Sequence, residues 1–235
     1  MHKHLAIASL CVFACLNASA ESAEQSCSAL FINAKAPIKS SSSAQVRQLC
    51  FDAFFVSYDK NTKGPQYVSE KLSRQSLMDA KDEVRTNRFY EEARLPSAWR
   101  AKLSDYESSG YDRGHMAPAA DMPNASAMAQ SFSLANVVPQ DSYNNRRIWA
   151  GIEKATRKFA MRSQEPVYVT TGPVYLCQNN CKKIGEDIPV PTHIFKLIET
   201  KQSKSYAYWS ENKAGSQIQI ISKQELQHRT GIQFQ

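Results

Sequence analysis

Hydrophobic and polar positions change period several times along the chain, and each change predicts an element. Phe51 to Tyr58 is aromatic and β-branched and runs into Asp59-Lys60-Asn61, which predicts a strand closed by a turn. Lys63-Gly64-Pro65 breaks the chain, and Gln66 to Leu72 then alternates as a hairpin partner. Ser73 to Arg100 keeps no period and reads as polar, irregular chain. Tyr111 and Asp112 are expected to end a strand, with Arg113-Gly114-His115 leading into a loop through Asn124. Ala125 to Phe132 predicts a short helix, and Leu134 to Val138 a strand closed by Pro139.

The clearest helical signal is Asn144 to Arg162, with Ile148, Ile152, Ala155 and Phe159 on one face. Steps of four also align Asn145, Trp149, Glu153 and Arg157 on a second, gently drifting stripe. Val167 to Thr171 predicts a buried strand closed by Gly172-Pro173. Ile194 to Glu199 and Tyr206 to Ser210 predict a hairpin over Thr200 to Ser205, and Gln224 to Thr230 a last helix before Gly231.

The N-terminus breaks from this pattern. A mildly basic start precedes an uncharged apolar run, Leu5 to Leu16, and then the small-x-small site Ala18-Ser19-Ala20. This order predicts a signal peptide over residues 1–20 and a chain that is periplasmic or secreted after cleavage near Ala20. The apolar run is too short for a transmembrane helix, so no membrane partner is expected in the mature form. Phe13 and the short core before Cys15 fit lipid attachment poorly. Residues 21–50 read as a loose N-terminal arm with a serine tract, Ser40 to Ser43, and residues 51–235 as one catalytic domain.

Export changes the reading of the cysteines. Cleavage removes Cys11 and Cys15 and leaves four. An even number in an oxidising compartment favours disulfides, and of three connectivities sequence proximity favours Cys27–Cys50 and Cys177–Cys181. A four-cysteine zinc site fits less well, because the pairs lie far apart and one alone has CxxxC spacing. The formal charge is +7, or +6 without Lys3, which suits a polyanionic partner.

Against that charge, Asp112-Arg113-Gly114-His115 stands out. Phosphodiester hydrolysis needs a base for water, positive charge at phosphorus and a held geometry. His115 is a base that titrates near neutrality. Arg113, with the arginines near Arg88, can neutralise phosphate through bidentate hydrogen bonds. Asn145 offers a neutral amide oxygen of the kind that suits Mg²⁺, and Glu153 and Arg157 follow it on the same stripe.

Asp112-Arg113-Gly114-His115 resembles the DRGH signature of the DNA/RNA non-specific endonucleases, the Serratia-nuclease type. The segment Asn136-Val137-Val138-Pro139-Gln140 resembles that family's Asn-x-x-Pro-Gln, and Asn145, Trp149 and Glu153 follow at its spacing. Thr171-Gly172-Pro173, Pro189 to Thr192, Phe195-Lys196 and Glu225 to Phe234 continue the likeness, which runs from about residue 51 to the end.

The resemblance implies an α+β fold: a central antiparallel β-sheet flanked by helices, with a ββα-metal active-site motif. It implies His115 as general base and Asn145 as the direct ligand of Mg²⁺, with Mn²⁺ as a substitute. Glu153 and Asp112 would act on the metal through water, and Arg113, Arg157 and an upstream arginine on the phosphate. Arg88, before Phe89, fits that upstream place better than nearby Arg85. Asn136 would orient the histidine or substrate. The implied activity is metal-dependent cleavage of DNA and RNA, held by their phosphate backbone, to 5′-phosphorylated oligonucleotides. The alternatives are a nuclease restricted to DNA or RNA and a catalytically silent exported nucleic-acid binder.

Overall fold

The computed structural model describes residues 22–39, 45–177, 180–202 and 205–235. The expected signal peptide and the Ser40 to Ser43 tract lie outside the described residues.

A short helix, α1 (Ala23–Ser26), opens the arm, and β1 (Ile38–Lys39) ends its first described part. Strands β2 (Val46–Cys50), β3 (Phe54–Asp59) and β4 (Gly64–Leu72) form a meander. Helices α2 (Arg74–Asp79) and α3 (Leu103–Tyr106) interrupt the following polar stretch, α2 starting at a Ser73 capping box. Strand β5 (Asp112–His115), α4 (Ala125–Ser131) and β6 (Val137–Gln140) lead to a π-helical segment, Asn144–Trp149, that continues as α5 (Ala150–Arg162). The rest is β7 (Val167–Val174), the small hairpin β8 (Lys183–Ile184) and β9 (Ile188–Pro189), and then β10 (His193–Glu199), β11 (Ser205–Glu211) and β12 (Ile218–Ile221). Helix α6 (Lys223–Thr230) and β13 (Ile232–Gln233) close the chain.

Seven strands form one antiparallel sheet in the order β12-β11-β10-β7-β4-β3-β2. Its side chains alternate with the period of two that the sequence shows. Phe54, Val56, Tyr58, Val68 and Ile194 face the layer that holds Met116, Trp149 and Ile152. Phe55, Tyr67, Phe195, Leu197 and Trp209 face the other way, toward Phe31, Leu226 and Phe234. The sheet thus separates the active-site layer from a layer built of both chain ends. The α+β architecture with a central antiparallel sheet is as expected.

Several boundaries differ from expectation. The described part of the arm is not loose: Cys27 and Phe31 are buried, and β1 pairs with β13. Strand β2 lies before the boundary expected at residue 51, yet it is the sheet's edge strand. Both expected disulfides are present, with Cα–Cα separations of 5.7 Å for Cys27–Cys50 and 5.0 Å for Cys177–Cys181. Gly172-Pro173 does not close β7, because the strand pairs on through it with Phe195 and Ile194. Leu134 to Asn136 is a 3₁₀ turn, and the strand after it runs through Pro139 to Gln140. Among the described residues, no helix is long and apolar enough to cross a membrane.

Candidate active site

The DRGH segment is itself a strand, not the lead into a loop. Asp112, Arg113, Gly114 and His115 pair with Gln140, Pro139, Val138 and Val137 respectively. With the helix that follows β6, the pair makes a ββα unit. Gly114 is needed for close approach: a Cβ there would sit 2.6 Å from the Cβ of Gln140. The Gln140 amide crosses that space and donates from Nε2 to Asn144 Oδ1 at 2.8 Å. Asn144 Nδ2 in turn donates to Glu211 O at 2.8 Å and Ser216 Oγ at 3.0 Å. The glycine, the glutamine and the helix start are therefore fastened to β11 as one piece.

His115 sits between Phe89 and Phe132, with ring centroids 5.2 and 5.0 Å away. Its Nε2 is enclosed and has no hydrogen-bond partner. Burial, aided by the Arg85 cation, pushes the imidazole pKa down to about 3. The ring is thus neutral throughout the physiological range. Asn136 does not reach it. Its Oδ1 accepts from Ala117 N–H at 2.9 Å, and its Nδ2 donates to Ala117 O and Ser131 O, each at 2.9 Å. Its amide is bonded to backbone on both ends, so it fixes the turn that follows His115.

Asp112 and Asn145 meet across the unit. Asn145 Nδ2 donates to Asp112 Oδ2 at 2.9 Å, which leaves Asn145 Oδ1 as the end of the amide without a protein partner. A free amide oxygen on a half-buried side chain is a donor suited to a hard cation. Arg146 donates from Nε to Asp112 Oδ2 at 2.7 Å and from a terminal nitrogen to Oδ1 at 2.6 Å. Burial raises the Asp112 carboxyl, but hydrogen bonds from Arg146 and Asn145 outweigh it and hold the pKa below the ordinary value. Asp112 therefore acts directly on Asn145. The π turn also changes the helix register. Ile152, Thr156 and Ala160 are buried, whereas Ala155, on the expected apolar face, is exposed.

The stripe of Trp149, Glu153 and Arg157 is not a solvated face. Trp149 is fully buried, and Arg157 donates to buried Asp121 at 2.9 Å, so its charge is already paired. Burial pushes the Glu153 carboxyl up to about 7, against the nearby cations Lys196, Arg157 and Arg85, while Asp121 adds to the rise. Lys196 is 1% exposed; it donates to Thr171 Oγ1 at 2.7 Å and lies 3.9 Å from Glu70 Oε1. Sequence reasoning gave Glu70, Asp121 and Lys196 no role. The one local hint was a single lysine inside the apolar run Ile194 to Ile198.

The arginines are also reassigned. Arg113 packs over Phe89 at 5.2 Å and Tyr106 at 5.7 Å. Arg85 lies 5.0 Å over Phe132 and acts electrostatically on both His115 and Glu153. Its Nε donates to Asn87 Oδ1 at 2.6 Å, and Asn87 takes a left-handed φ of 51°. Arg85 and Arg88 are both exposed, and of the two it is Arg85 whose charge acts on His115 and Glu153.

A sequence profile of the DNA/RNA non-specific endonucleases matches residues 33–235. The chain is 33% identical over 207 residues to "Nuclease EXOG, mitochondrial" of Homo sapiens, covering 79% of this chain and 56% of that protein. It is 36% identical over 159 residues to "Nuclease 1, mitochondrial" of Schizosaccharomyces pombe, covering 62% and 49%. The chain spans about half the length of these curated relatives. A solved structure, "Crystal structure of the EndoG/EndoGI complex: Mechanism of EndoG inhibition", superposes with a TM-score of 0.71 at 28% identity. That match covers 81% of this chain and 85% of the other.

Proposed function

The chain belongs to the DNA/RNA non-specific endonuclease family, and from that premise we propose that it is an exported, Mg²⁺-dependent nuclease that cuts DNA and RNA to 5′-phosphorylated products. The observation that carries this reading is the pairing of a neutral, aromatic-walled His115 with a free Asn145 carbonyl oxygen on the two halves of one ββα unit.

Asn145 Oδ1 would hold the cation, and Glu153 would orient a water in its shell. The cation, when bound, supplies positive charge to the phosphate and the leaving oxygen. His115 accepts the proton of the attacking water. Its burial makes the imidazolium unfavourable by itself, so protonation is favoured chiefly while an anionic phosphate lies against the ring. Base catalysis is thereby tied to substrate. Arg85 and Arg113 neutralise the phosphate, and contacts to backbone phosphate carry no base preference.

Export is supported by the leader pattern and the two disulfides. The first twenty residues hold one lysine and no arginine, unlike the arginine-rich leaders of organellar import. The test is digestion of supercoiled plasmid, single-stranded DNA and RNA with Mg²⁺ and with EDTA, beside His115→Ala. Wild-type cleavage of all three, lost with EDTA and with His115→Ala while DNA binding persists, is expected. Full activity of His115→Ala would overturn the mechanism. Cleavage of one polymer alone would restrict the substrate.

A further inference from the structure

Asp112 is a carboxylate bonded to the same amide whose oxygen is free: Asn145 Nδ2 donates to its Oδ2. Carboxylates hold hard cations more strongly than amides do, because they add charge to the same oxygen geometry. Yet Asp112 is closed off. Arg146 forks onto both of its oxygens, and Asn145 takes a second bond on Oδ2. The guanidinium is 70% exposed, so as a surface ion pair it adds little to stability. Asp112, at 15% exposure, is held in place by a residue that the fold does not otherwise need.

We propose that Arg146 sets the character of the metal site by keeping Asp112 out of the coordination shell, so that a neutral amide is the chain's only ligand. This rests on the metal-dependent nuclease reading above. A cation held by one neutral ligand is bound weakly by the protein alone and draws its remaining affinity from the phosphate. Metal and nucleic acid then bind together, and the cation can follow the oxygens as products leave. Arg146 is a positioning residue: it acts through Asp112. Its planar fork matters, since a lysine is a point charge and cannot cover both oxygens.

The experiment is direct Mn²⁺ binding, read by electron paramagnetic resonance of the free ion, on the disulfide-intact full chain without nucleic acid. Arg146→Met should bind Mn²⁺ more tightly, on the order of tenfold, as expected for one added carboxylate ligand. Arg146→Lys should fall between the two. Removing a positive charge would itself tighten cation binding, so the substitution is repeated in an Asp112→Asn background. There only that charge effect should remain, and the gain should be several-fold smaller, because no carboxylate is left to be released. Equal tightening in both backgrounds would reduce Arg146 to simple charge repulsion and overturn the proposal, as would unchanged or weaker binding in Arg146→Met. A wild-type protein that neither binds Mn²⁺ nor cuts with any divalent ion would instead overturn the nuclease reading itself.

Discussion

Glu153→Gln should abolish most cleavage yet stabilise the fold above neutral pH. The carboxyl is pushed from its ordinary 4.5 up to about 7, first by burial. A raised carboxyl pKa means that the folded state holds the proton more firmly than the unfolded chain. That stability is complete below about pH 4.5 and is lost as pH rises through about 7. The full elevation corresponds to roughly 3 kcal/mol. Glu153 is half-buried rather than fully enclosed, and water screens part of the penalty, so about 2 kcal/mol is the working expectation. Glutamine mimics the protonated acid and carries no ionisation cost. Urea unfolding of wild type and Glu153→Gln, under non-reducing conditions, should therefore give similar stabilities at pH 5. At pH 8.5 the variant should exceed wild type by about 2 kcal/mol with an unchanged m-value. Titrating groups remote from Glu153 cancel in the difference, while Glu70, whose carboxyl feels the Glu153 charge, adds in the same direction because its ionisation becomes easier in the variant. An equal difference at the two pH values would refute the reasoning, because it would place the effect in packing rather than in ionisation.

Arg85→Ala should lower kcat/KM by roughly 10- to 100-fold, the loss of one charged hydrogen bond to phosphate, while Arg88→Ala should change it little; steady-state cleavage of a short duplex separates them. Lys196→Met should destabilise by about 3–5 kcal/mol, because it strips a buried cation from Glu70 and Glu153; denaturant titration reads it, and a neutral outcome would show that the cluster is not ionised. Replacing Cys27 and Cys50 together by alanine should cost about 3 kcal/mol by loop entropy over a 23-residue separation and loosen the arm. Hydrogen exchange at β1 and β13 should rise with it; unchanged protection there would show that the arm is held by packing alone.

What was legible in the sequence was local. The hairpin of β10 and β11 and the helix α6 follow from alternation, a turn and Gly231, which caps α6 in the left-handed region. The candidate residues His115, Asn145, Asp112 and Glu153 were also legible, since their chemistry and spacing are fixed within a few turns of chain. What stayed hidden depends on contacts between distant positions. DRGH has no apolar alternation, and it is a strand because Val137 to Gln140 lies beside it. Likewise, the arm's order comes from Cys50 and from Ile232, nearly 200 residues from Ile38 by its pairing with Gln233. That Arg85 acts on His115 and Glu153 was equally hidden, because the effect depends on packing between distant segments rather than on the residues beside it.

These hidden contacts also explain why a costly set of buried charges persists behind the site. Glu70, Asp121 and Glu153 are opposed by Lys196 and Arg157, with Arg85 acting on Glu153 alone, and burial holds the Glu70 carboxyl well above its ordinary value. One acid of the three is therefore the natural place for a proton. An apolar core of the same volume would serve stability better. It would not leave the Glu153 carboxyl raised to about 7, which suits the water-orienting role proposed for it. Lys196 on β10 and Arg157 on α5 supply the opposing charge from two different layers, so the acidity of Glu153 depends on how the helix sits on the sheet. The π turn at Asn144–Trp149 fixes that seat from one end, and Gln140 fastens it to Gly114. A substitution that overpacks the buried face of the helix without touching any proposed catalytic group, Ala160→Leu for example, should then move the pH dependence of cleavage as well as its rate.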